Sequence, residues 1–422
     1  LVIGIQESNA QSCGFLAGDG CSNTDYSNFG LNSSDPATIE YDNFVSTFHA
    51  TAVRNSSGQF QVWGADMASS GTGDVTTPRT INSTNYTALG SHRVLKVTGS
   101  GASTSQFIAL TTDGLYAWGP KNLTLATALK GSEGFGKVGS TNGNNFSLPS
   151  GLVPADVKMM TASYGIGGGS IVITTCSGEV WILAMSNDVK GNGTTALAIT
   201  TTTTNNWSQV LTAPGVPLTG IVAARAHQKA VIALRNDNTI WTWGRQTYLG
   251  NNTAVADRDF ATQMEHPNSS ETIKMIGITG NHIINPSLAH ALKSYYVLMT
   301  NGKLYSLGGN ASGQLGDWTT NERTSWVRPK YTSASGPEMD DIKWISPQEN
   351  DRTYAAINVI NSQGQLFAWG NNNQDMLGVG TATGPTMPAG ISPTDKVLAV
   401  ETGGHTSMII KEGACNFGYI GH

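Results

Sequence analysis

The stretch LFAWGNNNQDMLGVGTATGPTMP, residues 366–388, decides the reading of this chain, because its parts recur from one end to the other. Leu366, Phe367 and Ala368 lead into Trp369-Gly370. An Asn-rich loop follows, then a small hydrophobic step at Met376-Leu377-Gly378 and a Thr/Pro segment. Just upstream, NVINSQGQ (358–365) supplies an apolar strand and a turn at Gly364, where a tight hairpin needs positive φ.

The same order of strand, Gly or Asn turn, strand and Trp-Gly appears at TAVRNSSGQFQVWG (51–64), FIALTTDGLYAWG (107–119) and VIALRNDNTIWTWG (231–244). Worn copies are IVITTCSGEVWIL (171–183), with its anchor at Trp181, YVLMTNGKLYSLG (296–308), with Leu307, and SMIIKEGACNFG (407–418), with Phe417-Gly418. Anchors at 63, 118, 181, 243, 307, 369 and 417 lie about 48 to 64 residues apart, which is a repeat architecture. Short strands with glycine turns at this period, and no sustained helical periodicity, point to blades of a β-propeller. Each blade must be covered by its neighbours, so Trp63, Trp118, Trp243 and Trp369 are expected to fill the wedges between blades.

The Trp-Gly step, the Gln-Leu-Gly element in GGNASGQLGDW (308–318) and the His-plus-apolar strands at His49, His227 and His405 resemble the regulator of chromosome condensation repeat family. The resemblance covers nearly the whole chain, with the third and fifth repeats departing from it. It implies an all-β, seven-bladed propeller, and it implies little about function, because a fold is a scaffold for grafted sites. The expected organisation is a single domain over 1–422, the N-terminal part of a longer chain. Residues 1–45 are expected to be a closing segment that completes the last blade by pairing with 406–418, so that two sheet edges vanish together.

Charged residues are 13% of the 422, about half the usual share of roughly 25%, with Gly, Asn, Thr and Ser in their place. Such a hydroxyl- and amide-rich surface is typical of secreted or cell-surface β proteins, and the expected location is extracellular or at the cell surface. The net charge of −5 and the lack of any Lys/Arg run argue against a nucleic-acid partner. No stretch reaches the roughly 18–20 apolar residues of a membrane span. The texture also resembles propellers of large cell-surface adhesins of the Bacteroidota, exported by type nine secretion and associated with gliding, which implies outer-membrane secretion machinery as a partner.

Cys13, Cys21, Cys176 and Cys415 lack the Cys-x-x-Cys or His partners of a zinc site. They read either as structural thiols or as containing a disulfide among Cys13, Cys21 and Cys415. Asp19 and the DRD triplet (257–259) are the only candidates for calcium, without a ligand ladder. No cofactor is expected. The histidines at 49, 227 and 405 are expected at the starts of the innermost strands, well apart, each serving its own turn. Glu338, Asp340 and Asp341 sit in a Gly/Pro loop and not on rigid strands at a fixed separation, so they do not read as a glycosidase pair. GIGGGS (165–170) precedes a strand and not a helix, so it is no phosphate cradle.

The expected function is therefore binding without catalysis: a surface or secreted adhesion module for a protein or glycan ligand. Trp207, Tyr248, Trp318 and Trp326 are the expected binding aromatics, since rings beside amides and hydroxyls can stack on sugars or pack on a protein. The competing expectations are a guanine-nucleotide-exchange or chromatin regulator in the manner of the family's founding member, and a secreted inhibitor or polysaccharide-active enzyme.

Overall fold

In a computed structural model, residues 2–6, 33–55, 57–101, 105–118, 134–138, 148–163, 169–184, 189–194, 207–281, 292–350, 354–373, 375–379, 382–412 and 417–421 are described. The chain is an all-β propeller. After β1 (Val2–Gln6), six four-stranded antiparallel sheets each use four consecutive strands. They are β2 (Phe44–Ser46), β3 (Ala50–Arg54), β4 (Phe60–Gly64) and β5 (Val75–Thr80); then β6 (Val94–Gly101), β7 (Ser105–Thr111), β8 (Gly114–Trp118) and β9 (Gly136–Lys137); then β10 (Val157–Ser163), β11 (Ser170–Thr175), β12 (Val180–Ala184) and β13 (Ser208–Gln209). A small ribbon of β14 (Leu211–Ala213) and β15 (Val216–Pro217) precedes the fourth sheet, β16 (Ile221–His227), β17 (Ala230–Arg235), β18 (Ile240–Thr247) and β19 (Ala256–Gln263). The fifth holds β20 (Ile273–Asn281), β21 (Leu292–Met299), β22 (Leu304–Gly308) and β23 (Arg323–Val327), and the sixth β24 (Ile342–Pro347), β25 (Ala356–Asn361), β26 (Leu366–Gly370) and β27 (Ala382–Thr386). A further sheet is composite: β28 (Val397–Thr402), β29 (Thr406–Lys411) and β30 (Phe417–Gly421) are joined by β1, with Val2 opposite Gly421 and Gln6 opposite Phe417.

The first strands of successive sheets, β2, β6, β10, β16, β20, β24 and β28, touch one another in turn, and β28 touches β2, so these strands line the axis. All but β2 carry the same one-residue bulge near their start, between Val94/Lys96, Val157/Met159, Ile221/Ala223, Ile273/Met275, Ile342/Trp344 and Val397/Ala399. A bulge adds local twist and re-aims a side chain, and its recurrence marks the repeat as clearly as the Trp does.

The anchors lie on the third strands. Trp118, Trp243 and Trp369 are fully buried, whereas Trp63 is only half-buried, packed between clusters shared with the sheets on either side. Each buried indole reaches the loop after the third strand of the preceding sheet: Trp118 Nε1 meets Met67 Sδ at 3.1 Å, and Trp243 and Trp369 donate to Val189 O at 3.0 Å and Gln314 O at 2.9 Å.

The Gly after the anchor has a specific task. Gly64, Gly244, Gly308 and Gly370 have φ between 103° and 116°. A Cβ on them would lie 2.2, 2.0, 2.1 and 2.5 Å from the carbonyl oxygens of His49, Lys229, Lys293 and Ala355. The next residue in each case, Ala65, Arg245, Gly309 or Asn371, donates its N–H to that same oxygen. Glycine here allows both the turn and the close approach.

Two expected anchors are displaced by register. Ile171 pairs with Leu183 as Val231 pairs with Trp243, so the third sheet's anchor is Leu183-Ala184 and not Trp181. Ser407 pairs with Ile420 as Ile357 pairs with Trp369, so the composite sheet's anchor is Ile420-Gly421 and not Phe417-Gly418.

Residues 33–43 depart from the expected closing role. Among the described residues of the segment only Val2–Gln6 pairs with the last sheet, while 33–43 run along the axis as two 3-10 turns, Pro36–Thr38 and Tyr41–Asn43. They contact β3, β6, β16 and β20, and Ile39 and Tyr41 join the core with Met159, Val222, Ile276, Trp344 and Val400 from five innermost strands.

Candidate functional site: the axial channel and the loop aromatics

Tyr41 sits at the centre of the axial segment. Its hydroxyl accepts the Ile276 N–H at 3.0 Å, and its ring lies 5.0 Å from the Arg225 guanidinium carbon and 6.5 Å from the Trp344 ring. Flanking it, Glu40 takes a charge-assisted bond from Lys96 Nζ at 3.1 Å and Asp42 one from Arg225 at 3.0 Å. On its other side Arg225 is clasped by Glu349, Nε to Oε1 at 3.0 Å and Nε to Oε2 at 2.9 Å. Burial opposes charge on Arg225, yet Asp42 and Glu349 outweigh it and hold the guanidinium protonated. Glu401 completes the cluster, accepting Ser346 Oγ at 3.0 Å. Burial, and then the charge of Glu349, pushes its carboxyl well above the usual range.

The histidines do not start the innermost strands. His49 and His405 lie between first and second strands and His227 ends β16. Nor are they all apart: His49 Nε2 and His405 Nδ1 meet at 2.9 Å, because the first and the composite sheets are neighbours. His227 is fully buried with Nδ1 on Glu349 O at 3.0 Å; burial, then Lys293, pushes it down to about 3, so it is neutral.

Of the four aromatics, Tyr248 is not a surface residue. It is fully buried in the core, with its ring 3.2 Å from where a Cβ on Gly308 would lie, since the fifth sheet has Leu307 where four others carry Trp and this ring takes the volume. Trp207, Trp318 and Trp326 are half-buried. Trp318 Nε1 donates to Lys330 O at 2.6 Å and its ring faces Gly384 of the next sheet; Trp326 Nε1 donates to Glu265 O at 2.8 Å and its ring faces Gly250 of the previous one. The structure does not gather these aromatics into one patch.

The acidic loop is fully engaged. Arg328 pairs with Glu338 at 3.0 Å and with Asp340, while Asp341 takes the Tyr331 hydroxyl. In the DRD triplet, Asp257 pairs with Arg245 at 3.0 Å and Arg258 donates to Thr247 O at 2.9 Å. Among the described residues no group of three or more His, Cys, Asp or Glu could hold a metal ion, and no helix is long and apolar enough to cross a membrane. Asp19, Cys13, Cys21, Cys415 and most of GIGGGS lie outside the described residues. Cys176, at the β11–β12 turn, is disulfide-bonded.

The class defined by these sheets is the β-propeller, and residues 363–410 match the Regulator of chromosome condensation (RCC1) repeat. Among solved structures the chain is similar to human WBSCR16, with TM-score 0.57 and 14% identity over 90% of this chain and 85% of that one. It is likewise similar to Prp20p from Saccharomyces cerevisiae, with TM-score 0.55 and 15% identity over 90% and 81%, a protein studied for its binding to Gsp1p and histones. Among named sequences, 162 residues are 26% identical to the human probable E3 ubiquitin-protein ligase HERC6, and 87 residues are 33% identical to the dog X-linked retinitis pigmentosa GTPase regulator. Those matches span 38% and 21% of this chain but only 14% and 8% of the relatives.

Proposed function

We propose that this propeller is a non-enzymatic interaction module that works outside the cytoplasm, secreted or displayed at the cell surface as part of a larger protein. Propellers of this type are protein-interaction scaffolds, and the similar ring of Prp20p was studied for its protein partners. The observation that carries the extracytoplasmic half is the disulfide at Cys176, because disulfides persist where the environment is oxidising. The 13% charged composition supports the same reading. Export by the type nine route, with adhesion or gliding as the end use and a protein or glycan as ligand, is the finer form, and it rests on the composition of the loops. Fractionation of the source cells, with mass spectrometry of Cys176 under alkylation, tests the compartment: oxidised Cys176 in the extracellular or surface fraction is expected, and a cytosolic protein with a reduced thiol would overturn it.

A second reading, an intracellular regulator of a GTPase or of chromatin, is favoured by the 33% identity to a protein named as a GTPase regulator. The absence of basic runs in the sequence weighs against its chromatin form. The half-buried Trp318 and Trp326 are the binding side chains we assign. Changing both to Ala should abolish partner capture, and because both indoles are hydrogen-bonded, it should also lower stability by a few kcal/mol. A single change to Phe at either position separates the two effects. Turnover of a polysaccharide by the purified chain, lost on Glu338→Gln, would refute the non-enzymatic reading.

We read the composite sheet as a seventh blade that closes the ring. Its strands β28 and β29 pack on β2, with Phe44, Val53, Ala399, Met408 and Ile410 in one cluster, and β1 covers the edge that β30 would otherwise expose. Deleting residues 1–6 should leave a folded ring with a lower melting temperature and a tendency to associate through β30. An unchanged melting curve and a monomeric deletion variant would refute closure.

A further inference from the structure

We propose that the axial channel is a receptor for acidic peptides of the Glu-Tyr-Asp kind, and that residues 33–43 are its tethered occupant. The proposal is independent of the compartment in which the protein acts.

The segment is held in the manner of a ligand. It belongs to no sheet, and its polar links to the ring are made largely by side chains: Glu40 on Lys96, Asp42 on Arg225, and the Tyr41 hydroxyl on the Ile276 N–H. These partners come from three different innermost strands, with the Trp344 ring from a fourth beside Tyr41. A third cation, Lys158 on β10, is shifted down by burial while Asp35 and Glu40 of the segment counter the shift, so it faces the same acids. The channel therefore offers Lys96, Lys158 and Arg225 around an aromatic slot, which is complementary to carboxylates flanking one ring.

The buried cation at the centre of the receptor half keeps a partner without its occupant. A buried arginine stripped of its only partner would cost several kcal/mol. Arg225 does not face that penalty, because Glu349 retains a forked grip on it when Asp42 leaves. Tethering gives the segment an effective concentration on the order of millimolar, so an outside peptide gains access only when the tethered one is withdrawn or weakened.

The test uses the whole chain carrying Tyr41→Ala and Asp42→Ala together, and a fluorescein-labelled peptide of residues 33–43, SSDPATIEYDN, read by fluorescence anisotropy. Saturable binding is expected to the variant, about tenfold or more tighter than to the wild type, and lost when the peptide carries Gln and Asn in place of Glu40 and Asp42. A folded variant that ignores the peptide, or binds the neutral peptide equally well, overturns the proposal. If the variant does not fold, hydrogen exchange of the wild type decides. Amides of residues 39–43 exchanging about tenfold or more faster than those of β16 support a separable occupant, and equal protection shows an integral core and overturns the proposal.

Discussion

Replacing Trp369 with Ala removes the largest side chain from the wedge between the fifth and sixth sheets. The ring is fully buried, and a fully buried Trp removes about 150–250 Å² from water. At about 25 cal/mol per Å² that is about 4–6 kcal/mol of transfer free energy, of which the Ala methyl retains a little. The hydrogen bond adds little, because Gln314 O also accepts the Tyr296 hydroxyl at 2.7 Å and keeps that partner. The site cannot collapse easily: Gly316, with φ of 71°, already lies so close that a Cβ there would be 2.8 Å from Trp369 Nε1. The expected loss is therefore about 4 kcal/mol, within the range seen for core aromatic truncations. A chain of 422 residues has an unfolding entropy near 0.9 kcal/mol per kelvin, so calorimetry should show a fall of about 4–5 °C. Trp63→Ala, at a half-buried ring, should lose about half as much. A Trp369→Ala protein melting with the wild type, or a Trp63→Ala protein losing as much as Trp369→Ala, would refute the wedge argument.

Three further outcomes are expected. Glu401 is protonated in the fold at pH values where it is ionised in the unfolded chain, so its contribution is full below about pH 4.5 and is lost as pH rises toward its folded value. Glu401→Gln should consequently gain stability relative to wild type as pH rises above about 4.5, and a difference that does not change with pH would refute a raised carboxyl. His227 has the opposite linkage. Its folded value of about 3 lies below the unfolded one near 6.5, so stability falls as pH drops below 6.5 at up to about 1.4 kcal/mol per pH unit, and His227→Gln should flatten that slope in urea titrations. Gly370→Ala should lower the melting temperature more than Gly90→Ala, since a Cβ at 370 meets Ala355 O at 2.5 Å while nothing lies within 4 Å at 90, although both have positive φ.

The parts of the fold that are legible in the sequence are those whose cause is local. A bulky anchor followed by a φ-positive glycine is a constraint written in adjacent residues, and Trp118, Trp243, Trp369 and their period can be read directly. Where the anchor residue is an ordinary aliphatic, the eye goes to the nearest aromatic, and register at Leu183 and Ile420 has to come from strand pairing. The axial segment is illegible for a different reason. Asp42 meets Arg225 across 183 positions and Tyr41 meets Ile276 across 235, and nothing in IEYDN announces partners so distant. The meeting of His49 and His405, 356 positions apart, becomes apparent only once the two sheets stand side by side. Tyr248 misleads because its neighbour Leu307 is small, and only the assembled wedge shows the volume that the tyrosine fills.

The buried indoles point backward along the chain: the second sheet onto the first, the fourth onto the third, the sixth onto the fifth. On a ribosome, each even-numbered sheet therefore emerges to find its docking surface already made, and the nascent chain gains three interlocked pairs in order of synthesis. The composite sheet alone runs against this order. Its β1 precedes the six other sheets and its partner β30 follows them, so Val2–Gln6 must wait for its pairing until all six have been translated. That interval is when the growing chain is most open to a holding chaperone, and to mispairing with a neighbouring copy.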